Sequence, residues 1–185
     1  MQNRFEKSLI EQCAPTLAGI KPGSLFHYTT QDGENLFYII WAWNKRLQKK
    51  GIKFYLLKES AGGGHVYVYR PALLTKLLAD REVRAFLSAN GYYDCLEPGT
   101  CLARLRSRFG DKGGFPHEIG VFLGYPLHDV KGFIENKGSN FSLCGMWKVY
   151  DNLPMAQKLF DQYKRCRNSY STLYEKGRSI YKLAV

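Results

Sequence analysis

A chain of 185 residues with 27 Lys and Arg against 16 Asp and Glu, a formal net charge of +11, is long enough to bury one hydrophobic core without metal or disulfide staples. Its 15% aromatic content, with 13 Tyr and 11 Phe, excludes disorder, and it contains no apolar run of the roughly 18 residues that a membrane span requires. The five cysteines, Cys13, Cys95, Cys101, Cys144 and Cys166, are odd in number and form no CxxC pair, and MQNRFEKSLIEQ at the start has no apolar signal core, so the expected setting is a reducing cytoplasm.

In chain order, FEKSLIEQCAPTLAGI (5–20) predicts a short helix interrupted or ended near Pro15, where proline removes a backbone donor. A KPG turn leads to SLFHYTT, whose alternation predicts a strand. Asp32 is the candidate cap of the next helix, ENLFYIIWAWNKRLQKKG, with Gly51 as its stop. Leu36, Ile39, Ile40, Trp43 and Leu47 recur there at helical spacing. Phe37, Tyr38 and Trp41 widen the apolar face, so this helix is expected to be buried on most sides. KFYLLKES and HVYVYR predict two strands joined through AGGG as a hairpin. Tyr67 and Tyr69 then share one face, either to stack on a flat ligand or to lie under a helix.

Pro71 opens the next helix, which runs through Leu74, Leu77, Leu78 and Phe86 to Gly91. A basic helix follows over 101–110, GDKGG is a flexible joint, and FPHEIGVFLGYPLHDVKGFIENKG (115–138) contains a helix pair with Pro116 and Pro126 in the first turns. MWKVY predicts a fourth strand. A final long helix starts near Pro154 and carries Ala156, Leu159, Phe160, Tyr163, Tyr170 and Leu173 on one face. The order α-β-α-β-β-α-α-α-α-β-α points to an α+β fold. The expectation is a small, mainly antiparallel sheet of about four strands covered by helices in two layers. The chain reads as a single domain over 1–185 with a helical C-terminal half and a helical subdomain over 101–140.

Positive charge gathers at 46–53, 104–112 and 164–168. A nucleic acid, an anionic cofactor, an acidic partner and a merely solvated basic surface are all compatible with it. The spacing of Gly120, Gly124, Val130 and Ile134 is that of a helix-turn-helix. In a nucleic-acid reading, His128, Lys131, Asn136 and Lys137 on the second helix are the contacting residues. Asp129 and Glu135 oppose phosphates, and Gly132 leaves a gap where a contact would sit. Two short helices packed in a larger core fit the same spacing.

His65, His117 and His128 lack ligand spacing, and His27 has no visible partner. The His117-Glu118 pair has Val121 where a zinc protease needs its second histidine, so no metal site is expected. AGGGH (61–65) lacks the P-loop Lys-Ser/Thr, and a phosphate role there depends on Arg70 or Lys58 beside it. Cys13 lies near a helix end, where a thiolate is stabilised, or is a small core residue. Cys144 precedes a strand and a glycine and can face a pocket. Cys166 sits on the last helix's apolar stripe, and Cys95 and Cys101 read as peripheral.

CAPTLAGIKPGSLF (13–26), VYVYRP (66–71), FPHEIGVFLGYPLHDVKGFIENKG (115–138), CGMWKVY (144–150), YKRC (163–166) and GRSIYKL near the end resemble a bacterial family, mostly from anaerobes, classified as a domain of unknown function. The match runs from end to end and implies no activity. Members carry extra cysteines around CGxWKVY, where this chain has Leu143 and Met146, which sets it apart from any cysteine-rich site in the family. The resemblance implies a link to iron or redox homeostasis.

It also places Cys13, Arg70, His117, Glu118, Cys144, Trp147 and Lys148 within motif segments. The expectation is a cytoplasmic protein that binds a small anionic or redox-active ligand. Cys13 and Cys144 are the candidate reactive groups, and Arg70, His117, Glu118, Trp147 and Lys148 the candidate ligand-binding residues. His117-Glu118 at a helix start can position an anion, or Glu118 can simply favour the helix dipole. A nucleic-acid-binding or regulatory module and a structural partner in a complex are the alternatives. Enzymatic activity, cofactor and oligomeric state are left open by the residues.

Overall fold

Three strands, β1 (Gly23–Thr29), β2 (Lys53–Ser60) and β3 (Gly63–Tyr69), form an antiparallel sheet in the order β1-β3-β2. The structure is a computed structural model that describes residues 3–93, 95, 97–109 and 114–185. The central strand β3 alternates Val66 and Val68 with Tyr67 and Tyr69, and all four are buried. Both faces of the sheet are therefore apolar, and both are covered. The valine face packs on α1 (Arg4–Leu17), α2 (Leu36–Leu47), the end of α8 (Leu153–Glu175) and α9 (Ile180–Leu183). The tyrosine face packs on α3 (Pro71–Leu78), α4 (Arg81–Ala89), α5 (Pro98–Arg108), α6 (Ile119–Phe122) and α7 (Leu127–Glu135). The α+β class holds, with three layers where two were expected. Tyr67 lies under a helix, its hydroxyl donating to the Phe122 carbonyl at 2.6 Å.

The hairpin turns at Ala61-Gly62, with Gly62 at φ 75°. The fourth strand departs from expectation. Within MWKVY only Lys148–Val149 (β5) is extended, and it pairs with Leu143–Cys144 (β4) as a separate ladder. That ladder seats on α8 through Trp147, Val149, Ala156 and Tyr163.

Several helix boundaries differ from the sequence reading. The first helix continues past Pro15 to Leu17, because Leu9, Ile10, Cys13, Ala14 and Leu17 are held in the core. It closes where Ile20 N–H bonds the Pro15 carbonyl and Gly19 N–H that of Thr16. The cap of α2 is Asn35, which accepts from Tyr38 N–H at 3.1 Å, and not Asp32. Nor is α2 buried on most sides: Phe37, Tyr38 and Trp41 are 49%, 66% and 50% exposed. The helix expected from Pro71 to Gly91 is two, because Asp80 caps a new start by accepting from Glu82 and Val83 N–H. Pro116 and Pro126 precede the helices they were expected to open. Cys101 is fully buried, not peripheral. Residues 110–113 of the expected GDKGG joint lie outside the described residues.

Candidate functional site

Helix α7 carries Asp129 in its first turn, and this carboxylate is buried although charged side chains seldom are. It is satisfied by three donors from the motif that follows: Trp147 Nε1–H at 2.7 Å, Tyr150 N–H at 2.7 Å and Asp151 N–H at 3.2 Å. These bonds clamp CGMWKVY to α7. Gly132 is not a gap for a contact, since the Tyr150 ring occupies the place a side chain would take. Trp147 is held between Tyr125, stacked at 4.8 Å, and Phe160, edge-on at 4.4 Å.

Between the clamped ladder and the α6–α7 pair opens a cleft of about 390 Å³. Ile119, Leu123 and Val130 make its floor apolar, and Phe115, Phe133 and Trp147 give it aromatic walls. Its polar lining comprises His117, Tyr125, Cys144, Lys148 and Asp129, whose carboxylate is already engaged by the Trp147, Tyr150 and Asp151 N–H groups. The His117 ring lies 4.8 Å from that of Phe133. Lys148 Nζ donates to the Gly138 carbonyl at 2.6 Å and stands over the Phe141 and Phe133 rings at 4.7 and 5.7 Å. One of its three N–H groups is thus committed and its position is set. Cys144 is exposed and pairs with Lys148 across the ladder.

Four residues expected at a ligand, His117, Cys144, Trp147 and Lys148, thus share one cleft. The other three have different environments. Arg70 does not face it: the guanidinium donates to the carbonyls of Thr16 (2.6 Å), Leu17 (2.5 Å), Lys50 (3.2 Å) and Val185 (2.7 Å). It tethers the last turn of α1, whose carbonyls have no helical partners. The AGGGH turn is at the other end of β3, so Arg70 is not beside it. Glu118 is buried, bonded by Arg108 Nε and by the Tyr92 hydroxyl at 2.9 Å, and does not form an exposed helix entrance. Cys13 is also fully buried, and burial pushes its thiol up to about 12, the reverse of a stabilised thiolate.

Of the nucleic-acid candidates, Lys131 and Lys137 are exposed, His128 Nε2 lies 3.6 Å from Asp129, and Asn136 donates to the Gly132 carbonyl at 2.9 Å. The ladder covers the Asp129 and Gly132 side of α7 and leaves Lys131 and Lys137 exposed. His27, unpartnered in sequence, meets His65 across the sheet at 5.0 Å and Ser60 at 3.3 Å. Among the described residues no three of His, Cys, Asp and Glu gather as metal ligands, and no helix is long and apolar enough to cross a membrane. Sequence reasoning missed Phe115, Tyr125, Phe133 and Met146, which also line the cleft. Their only advance signal was membership in, or adjacency to, the same two segments.

A family model described as "Protein of unknown function (DUF3793)" matches residues 9–184, and the chain belongs to that family. No curated protein and no solved structure matches it.

Proposed function

We propose that this member of the family binds, in the cleft between α7 and the β4–β5 ladder, a small flat ligand bearing an acidic group, of the kind represented by redox-active aromatic acids. One observation carries the reading: His117 from one motif segment and Cys144, Trp147 and Lys148 from another line a single aromatic-walled cavity of about 390 Å³. Apolar walls with a few convergent polar groups are what small-molecule sites consist of. Phe115, Phe133 and Trp147 supply faces for a ring, and Lys148 with His117 supplies the counter-charge and donors for an acid. The exposed Cys144 thiol at the rim is a handle for covalent or redox chemistry on the bound molecule.

The test is a fluorescence titration with anilinonaphthalene sulfonate, an aromatic anion that reports an apolar environment. Saturable binding is expected, with Phe133→Ala and Lys148→Met each weakening it about tenfold, a loss of about 1.4 kcal/mol. Binding that does not saturate, or that ignores both substitutions, sinks the proposal.

A further inference from the structure

Beyond the cleft lies a second, smaller cavity of about 200 Å³, divided from it by Leu123, Tyr125 and Met146, which line both. Lys21, Tyr163, Arg167 and Glu11 are on its wall. Lys21 Nζ stands 5.3 Å from the centre of the Tyr125 ring and 5.9 Å from that of Tyr163. Among the described residues no carboxylate lies within ion-pair distance of it, and Glu11 is paired with Lys7 at 3.9 Å. The two ring faces offset only part of the cost of keeping a buried amine charged without a carboxylate beside it. Burial accordingly pulls Lys21 down from 10.5 to about 8.

The Cys13 thiol lies close by, fully buried and pushed up to about 12 by that burial. Of the two nucleophiles in this corner the amine loses its proton far sooner. The reactive atom is therefore Lys21 Nζ, not the sulfur that the sequence pointed to. Arg167 lies one helical turn beyond Tyr163 on the same face of α8 and has no ion-pair partner among the described residues.

We infer that Lys21 and Arg167 form a second site, independent of the aromatic cleft, that takes a small α-keto acid and holds it as an imine on Lys21. The planar guanidinium of Arg167 matches the carboxylate. The uncharged Lys21 nitrogen attacks the keto carbon, forming a C–N bond while the carbonyl π pair moves to oxygen. A proton passes from nitrogen to that oxygen, giving the carbinolamine. The nitrogen lone pair then forms the C=N bond as the C–O bond breaks, and the remaining N–H proton ends on the departing hydroxyl, so one water leaves and the step needs no oxidant or reductant. The tyrosine walls limit the space to a compact acid.

The experiment is reductive trapping: the protein is incubated with pyruvate and cyanoborohydride, then digested and mapped by mass spectrometry. The expected result is one dominant carboxyethyl adduct, on Lys21, whose yield rises with pH through about 8. Acetone, which lacks the carboxylate, should label Lys21 at least about tenfold less, and Arg167→Gln should narrow that gap. Lys21→Arg should abolish the adduct and leave anilinonaphthalene sulfonate binding unchanged, which separates this site from the cleft. Adducts spread over surface lysines, or Lys21 labelled no faster than the average lysine of the wild-type chain, would overturn the inference. The wild-type map decides this even if a variant fails to fold.

Discussion

The indole N–H of Trp147 donates to the buried carboxylate of Asp129 at 2.7 Å, and this bond fixes one wall of the cleft. The same carboxylate holds the Tyr150 and Asp151 amides, so one side chain joins α7 to the ladder. Asp129→Ala leaves three donors without their acceptor at a mostly buried site. Each orphaned donor costs about 1–3 kcal/mol, so the urea midpoint should fall sharply, and the freed indole should shift its fluorescence. An unchanged spectrum with an unchanged midpoint would show that the clamp does not form.

Arg70 is expected to act on stability alone. Its fork reaches four carbonyls that a lysine's single ammonium cannot reach together. Arg70→Lys should therefore destabilise the fold by about 3 kcal/mol in chemical denaturation. The anilinonaphthalene sulfonate affinity of the folded fraction should stay the same. A selective loss of affinity with stability intact would instead make Arg70 a ligand residue.

Thiol reactivity should follow exposure. Maleimide followed by peptide mapping should modify Cys144 first, because it is the exposed cysteine, and Cys13 and Cys101 only as the chain unfolds. Saturating aromatic anion should slow Cys144 alone, since it is the only one of the five among the cleft-lining residues. Rapid modification of Cys13 in the folded protein would contradict its burial.

Stability should depend on pH with two opposing signs. Burial raises Cys13 from 9.0 and Tyr125 from 10.0, each to about 12. The native state keeps these protons after the unfolded chain has released them, so their contribution is complete below pH 9 and is lost as pH climbs towards 12. Lys21, lowered from 10.5 to about 8, works the other way: it penalises folding below pH 8, and the penalty fades between 8 and 10.5. Denaturant midpoints should rise from pH 8 to about 9, level off, and fall above 10. Lys21→Met should raise the midpoint at neutral pH more than at pH 10.

Gly124 joins the α6–α7 pair at φ 71°, and a Cβ there would lie 2.5 Å from Pro22 Cδ. Gly124→Ala should cost about 2 kcal/mol or more through backbone strain and overlap together, read by thermal or urea melting. A neutral substitution would mean that the turn relaxes without disturbing the 20–22 segment.

Periodicity exposed most of the elements. The hairpin at Ala61-Gly62, the Pro71 and Gly51 boundaries and the apolar face of α8 all follow from short-range chemistry. It failed where an apolar residue had no partner to meet. Phe37, Tyr38 and Trp41 fit the stripe of α2, yet they face outward because nothing among the described residues packs beyond that helix. Asp80 capping α4 was a readable signal that the continuous leucine pattern concealed.

The candidate residues divide in the same way. Apolar spacing singled out the FPHEIG segment, and the family resemblance marked both it and CGMWKVY. Whether a polar side chain in such a segment binds a ligand or binds the protein depends on what lies opposite, here between 10 and 115 residues away. Arg70 meets Val185, Glu118 meets Arg108, and Asp129 meets Trp147, and each is thereby consumed by the fold. His117, Cys144 and Lys148 instead border open space. Sequence determined the elements and the motif segments, since those depend on neighbours within a few residues. Only tertiary packing decided which of the motif side chains were left to form a site, because burial and hydrogen-bond pairing are properties of residues distant in the chain and adjacent in space.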